Sequence, residues 1–290
     1  MANVIELENV SKTFGAKKAV NDVSLSLTDG EIYGFLGPNG AGKTTTIRMI
    51  MDFIRPSSGS VKLFDKDIGP NSVKNLHKIG FLSADSVLYS NWNAQQHISY
   101  VENIRGKKSS AATLSQKFGL DVHTKYHRLS SGNKQKLALI LALMHSPKLL
   151  ILDEPTRGLD PLLQQEIYEI LIDFKKSGGS VFMSSHNLSE VQKVCDHVGI
   201  IRDGRMVASE TMNTLREMHL HQITVQFEKP VDVEKFRLPN VEIKKATKHE
   251  ITANVQGDLN PFMSNVMQYK ISDIEIGHVS LEDMFMRYYA

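Results

Sequence analysis

Gly37-Pro-Asn-Gly-Ala-Gly-Lys-Thr-Thr45 decides the reading of this chain, because Gly37, Gly42, Lys43 and Thr44 stand in the spacing G-x-x-x-x-G-K-[ST]. Glu31 to Leu36 ahead of it is a short apolar run, as a buried strand would be. Thr44 to Phe53 after it repeats Ile47, Ile50 and Met51 at helical spacing. Strand, glycine turn and helix in that order wrap backbone N–H groups around phosphates at the positive end of a helix. The whole loop is therefore a candidate binding surface: Gly37, Pro38, Asn39, Gly40, Ala41, Gly42, Lys43, Thr44 and Thr45. Lys43 is the residue to reach the terminal phosphates, and Thr44 the one to offer a hydroxyl to Mg²⁺.

A second stretch supports the first. Leu149-Leu-Ile-Leu152 reads as a buried strand and ends abruptly in Asp153 and Glu154. At a strand end, Asp153 can hold the Mg²⁺ shell. Glu154, pointing the other way by strand alternation, can polarise a water. Working outward, Val4 to Val10, Val23 to Leu27, Ser180 to Ser184 and Val198 to Arg202 read as further strands, with helices at Leu162 to Lys175 and Leu188 to Cys195. The fold class is α/β. Between about 83 and 128 the strand signals fade and helical segments dominate, including Ala94 to Ile104 and Ala111 to Phe118, which predicts an inserted helical subdomain. Beyond about 215 the pattern becomes β, α, β, β, α, β, α. The expected division is a core of 1–215 and a small α+β domain of 216–290.

With Leu129-Ser-Ser-Gly-Asn133, Gly158-Leu-Asp160 and Ser184-Ser-His186 added in order, the chain resembles the ABC ATPases, a branch of the P-loop NTPases. The resemblance covers about residues 4–210. It implies that Phe14 stacks on adenine and that Ser130, Ser131 and Gly132 meet the γ-phosphate of ATP held by an opposing subunit. It implies that Asp160 belongs to the family's D-loop and is a nucleotide-binding candidate, and that His186 bonds the γ-phosphate and holds the water and Glu154 in place. Lys43, Glu154 and His186 are then the catalytic candidates, Thr44 and Asp153 the metal candidates, and ATP and Mg²⁺ the cofactors. The tail Val279-Ser-Leu-Glu-Asp-Met-Phe285 resembles that of drug, antibiotic and peptide exporter ATPases. The implied function is an ATPase subunit, paired as a homodimer or heterodimer, on the cytoplasmic face of a separate membrane permease, powering export of a drug, antimicrobial, peptide or lipid-like substrate. Other branches of the family give two alternatives, a soluble ATPase in translation or DNA maintenance and a catalytically weak nucleotide-binding regulator.

Two departures stand out. The family's glutamine after the strand Ile79-Gly-Phe-Leu82 is replaced by Ala84, with Asp85 next to it. The signature carries Ser131 for Gly and Asn133 for Gln.

Composition sets the remaining bounds. Lys+Arg 34 against Asp+Glu 32 leaves a net charge of +2, no footing for a nucleic-acid partner. One cysteine, Cys195, excludes an internal disulfide framework and fits a reducing compartment. It sits on an apolar helix face as a small hydrophobe. The longest apolar run, Leu137 to Met144, is far shorter than the roughly 20 residues a membrane helix needs, and Met1 to Glu6 lacks the layout of a signal peptide. His123 and His127 stand four apart but lack the carboxylate of a zinc motif.

Overall fold

Alternating apolar residues open the chain as a hairpin. β1 (Asn3–Phe14) and β2 (Lys17–Thr28) pair antiparallel and bury Ile5, Leu7 and Val10 with Val20, Val23 and Leu27. Gly15, at φ 55°, supplies the left-handed residue of the tight turn between them. The computed structural model describes residues 2–69, 73–106, 109–217 and 220–278. It divides into two units, Met1–Thr211 and Met212–Ala290.

In the first unit the hairpin is followed by β3 (Ile32–Leu36), α1 (Lys43–Ile50), β4 (Ser58–Leu63), β5 (Lys66–Asp67), α2 (Val73–Leu76) and β6 (Ile79–Leu82). Then come α3 (Ala94–Arg105), α4 (Ala111–Lys117), α5 (Ser131–Leu143), β7 (Leu149–Asp153), α6 (Pro161–Lys176), β8 (Ser180–Ser185), α7 (Leu188–Val194), β9 (His197–Arg202) and β10 (Arg205–Thr211). One sheet has the order β2-β1-β4-β5; the other has the order β10-β9-β3-β8-β7-β6. In the second, β9, β3, β8, β7 and β6 are parallel and β10 runs antiparallel along β9. Every residue of β3, β7 and β8 is buried, which is why β3 and the first four residues of β7 read as unbroken apolar runs rather than alternating ones, while the buried serines of β8 find hydrogen-bond partners. Tyr33 and Phe35 each pack on Phe182 across the β3–β8 pair, with ring centroids 5.6 and 5.5 Å apart. Gly34 lets α7 lie close: a Cβ there would meet Val191 Cγ1 at 2.7 Å and Cys195 Sγ at 2.8 Å. Cys195 is buried, and burial pushes its thiol well above the ordinary range, consistent with a packing role.

The helical segments expected at Ala94 to Ile104 and Ala111 to Phe118 are α3 and α4. Asn93 and Gln96 form a capping box that fixes the start of α3. β4, β5 and β10 add to the strands expected from the sequence.

The second unit contains α8 (Met212–Glu217), β11 (Leu220–Phe227), β12 (Val241–Ala246), β13 (Glu250–Gln256), α9 (Asn260–Val266) and β14 (Ile271–His278). Its antiparallel sheet has the order β12-β13-β11-β14, and Ile223, Val225, Ile251, Ala253 and Val255 form a separate core with Phe236, Phe262 and Val266. The helix expected between the first two strands is only a 3-10 turn, Val233–Phe236. Pro230 and Pro239 bracket that stretch, and Pro239 disfavours helical geometry at Leu238, so the helix is confined to the few residues between them. The tail from Val279 to Phe285, and the last expected helix, lie outside the described residues.

Candidate functional site

Three adjacent parallel strands, β3, β8 and β7, end at the same edge of their sheet, so the loops that follow them meet there. These loops carry Gly37 to Gly42, His186 and Glu154. The glycine loop closes tightly: a Cβ on Gly37 would lie 2.4 Å from Ile201 O, and Gly42, at φ 110°, passes Ala19 O so closely that a Cβ would be 2.7 Å away. Ala41 N donates to Pro38 O at 3.2 Å within the loop, and Gly37 N donates to Ser185 O at 3.1 Å, tying it to the end of β8.

Lys43, the first residue of α1, is buried and turns its ammonium back into the loop. Its Nζ donates to Gly37 O at 2.6 Å and Pro38 O at 3.1 Å, and lies 3.3 Å from Glu154 Oε1. Thr44 Oγ1 donates to Asp153 Oδ2 at 2.8 Å. The other oxygen of Asp153 accepts from Ser184 Oγ at 2.5 Å, and Ser184 Oγ accepts from Glu154 N at 3.0 Å. Ser184, on the neighbouring strand, therefore fixes both carboxylate residues. Glu154 adopts φ 50°, so it leaves the strand in a left-handed turn; this turn, not strand alternation, separates its carboxylate from that of Asp153. Its Oε2 lies 3.2 Å from His186 Nδ1 and 3.8 Å from Arg157 Nε. One buried carboxylate is thus surrounded by Lys43, His186 and Arg157.

Asn39, Gly40, Gly42, Lys43, Thr44 and Thr45 line a cleft of 280 Å³ shared with Glu154 and Arg157. Ala84 and Asp85, which stand in the sequence where the family carries a glutamine, line it too. Phe14 ends β1, half exposed, with Lys12 Nζ 5.2 Å from its ring centroid. It presents an open aromatic face but does not line the 280 Å³ cleft.

The signature residues lie elsewhere in this chain. Ser130 caps α5, accepting from Asn133 N at 3.2 Å, and Asp160 caps α6, accepting from Leu163 N at 3.0 Å. Gly132 sits against Leu163, where a Cβ would be 2.5 Å from Cδ2, so the two helix starts pack together. Ser130, Ser131 and Asp160 are exposed and do not line the Lys43 cleft.

Residues 20–157 match the family model for ABC transporters. Over 99% of its length the chain is 33% identical to the bacitracin transport ATP-binding protein BcrA of Bacillus licheniformis, covering 97% of that protein. The chain belongs to the ABC transporter ATP-binding proteins. It is also 35% identical to the lantibiotic transport ATP-binding protein SrtF of Streptococcus pyogenes, over 76% of this chain and 97% of that one. Among solved structures, the ATP-binding subunit of an ABC transporter superposes with a TM-score of 0.68 at 26% identity, covering 73% of this chain and 92% of that one. This ABC subunit binds ATP and is an ATPase that powers transport.

Sequence reasoning did not single out Ser184 or Arg157. Ser184 was visible in Ser184-Ser-His186, but only the pairing of β7 with β8 (Asp153↔Ser184) turns that serine into the clamp on Asp153 and Glu154. No helix among the described residues is long and apolar enough to cross a membrane.

Proposed function

We propose that this chain is the motor subunit of an exporter for antibiotic- or peptide-like molecules, working with a second ATPase subunit on the cytoplasmic face of a separate membrane permease. The convergence of Lys43, Glu154 and His186 at one strand edge carries this reading. The glycine loop and Lys43 hold the triphosphate, and Phe14 receives the adenine. Glu154 takes a proton from the attacking water, and His186 orients both that water and the γ-phosphate. Thr44 and Asp153 form a pair of hard oxygen donors, which suits Mg²⁺, an ion that takes few protein ligands and the rest from phosphate and water. When bound, Mg²⁺ neutralises phosphate charge during transfer.

Ser130, Ser131 and Asp160 are exposed, at or beside helix N-termini, with Gly132 packed beside them on Leu163, and none of the four lines the Lys43 cleft. That is the placement expected of groups that complete the site of an opposing subunit. Names of the relatives support the substrate class: BcrA and SrtF are transport proteins for bacitracin and lantibiotic, and the linearmycin resistance protein LnrL of Bacillus subtilis is 36% identical over 73% of this chain and 70% of that one. The C-terminal unit, with its own core, serves as an accessory domain.

The permease contact falls on the helical subdomain. There Val87, Tyr89 and Tyr100, with Leu141 of the neighbouring α5, line an apolar groove of 470 Å³. Tyr89 and Tyr100 are exposed at 57% and 45%, whereas Trp92 is half-buried beneath them, its ring centroid 4.4 Å from that of Tyr89. Trp92 therefore supports the groove and the two tyrosines anchor the partner. Detergent extraction and affinity purification of the full chain should recover a polytopic membrane protein, and Tyr89→Ala with Tyr100→Ala should release it while soluble ATP binding persists. Recovery of ribosomes in place of a membrane protein would contradict the reading.

A further inference from the structure

Glu190 is a buried carboxylate, 7% exposed, in the first turn of α7. It does not line the Lys43 cleft. Its Oε2 accepts from Ser185 Oγ at 2.7 Å, and that hydroxyl in turn accepts from Asn187 N at 2.9 Å. With one proton to give, the Ser185 hydroxyl favours the charged acceptor over Asn187 O, which lies farther off at 3.1 Å. Asn187 is the N-cap of α7, and its Oδ1 accepts from Ser189 N at 2.9 Å.

The arrangement is an extended capping box. In the usual form the carboxylate three residues into a helix bonds directly to the N-cap N–H. Here Glu190 occupies that third position, and the Ser185 hydroxyl stands between the carboxylate and the Asn187 N–H. The inserted link spans His186. The residue before it and the residue after it are pinned to one hydroxyl, and that hydroxyl is oriented by Glu190. Ser185 also offers its carbonyl to Gly37 N at 3.1 Å, so the same residue bridges the glycine loop to the His186 turn. His186 itself is half exposed and keeps its Nδ1 3.2 Å from Glu154 Oε2. An exposed side chain with a fixed reach needs a fixed backbone, and the Glu190–Ser185–Asn187 chain supplies it.

We infer that Glu190 is a positioning residue for hydrolysis, acting through Ser185 to hold His186 at Glu154 and the terminal phosphate. The inference rests on the role given to His186 above. Small misplacements of a catalytic group cost on the order of 10²-fold in rate. Glu190→Ala should therefore lower kcat at least about tenfold, with KM for ATP and affinity for a non-hydrolysable ATP analogue within about twofold of the parent. Glu190→Gln keeps an oxygen acceptor for the Ser185 hydroxyl and should restore most of kcat. Ser185→Ala should reproduce the Glu190→Ala rate, and the loss should be less than additive with His186→Ala, because both act through one side chain.

A Glu190→Ala protein with unchanged kcat overturns the inference, as does one whose loss multiplies fully with that of His186→Ala. If Glu190→Ala does not fold, Glu190→Gln and Ser185→Ala decide in its place: parental kcat for the first with a tenfold loss for the second supports the inference, and parental kcat in both overturns it. If His186→Ala hydrolyses ATP at the parental rate, the proposed role of His186 fails on its own, separately from any result at Glu190.

Discussion

Lys43 Nζ lies 3.3 Å from Glu154 Oε1, and both side chains are almost wholly withdrawn from solvent, at 5% and 8% exposure. The cation and the carboxylate of the proposed mechanism are thus each other's partner. On that proposal a triphosphate entering the glycine loop competes for Lys43, and drawing Lys43 away frees one oxygen of Glu154, so that nucleotide binding and preparation of the base would be a single event.

That pairing has a stability consequence. Lys43→Ala removes the buried cation and leaves the Glu154 carboxylate facing the half-exposed His186 and the exposed Arg157. Losing one partner of a buried pair costs about 3 kcal/mol or more. Lys43→Ala should lower the urea midpoint, and adding Glu154→Gln should recover most of it without restoring ATP binding. A double variant no more stable than Lys43→Ala contradicts the pairing.

Ser184 should prove as important as the residues it holds. Its hydroxyl joins Asp153 Oδ1 to Glu154 N inside a buried site. Ser184→Ala leaves both without that partner, a loss of about 1–3 kcal/mol. We expect a lower denaturation midpoint together with slowed hydrolysis, since the left-handed turn at Glu154 loses its tether.

Phe14 gives the opposite pattern. It is half exposed and ends a strand, so Phe14→Ala should leave the denaturation midpoint nearly unchanged. Stacking on a base is worth about 1–3 kcal/mol, so titration with a fluorescent ATP analogue should show affinity weakened by that amount. Unchanged affinity would remove Phe14 from the site.

Two histidines make stability depend on pH. Burial holds His97 below the ordinary histidine range, and burial with Arg105 nearby does the same for His145. Below about pH 6.5 the unfolded chain therefore binds more protons at these positions than the folded one. Stability contributed by keeping them neutral is present at higher pH and falls as the pH drops from about 7 toward 5. His97→Gln should flatten that fall in urea midpoints measured across the range.

How much of this was legible in the sequence follows from the range of each interaction. The glycine loop, β7 and its two carboxylates announce themselves locally, because each is a contiguous run with its own spacing. The partner of Asp153 does not, since Ser184 reaches it only through the pairing of β7 with β8. The same holds for the Lys43–Glu154 contact, which joins residues far apart in the chain. The direction of Glu154 was misread for a different reason: alternation predicts side chains only within a strand, and Glu154 has already left it at φ 50°. In the second unit the order of strands is legible, while the expected helix between the first two is a single turn between prolines.

Single-turnover hydrolysis by Glu154→Gln tests the central claim most directly. Mixed with MgATP, the variant should bind nucleotide and retain it uncleaved, with the chemical step slowed by about 10² to 10⁴ relative to the parent. Cleavage of bound ATP at the parental rate would contradict it, because Glu154 would then hold Lys43 and His186 without taking part in the reaction.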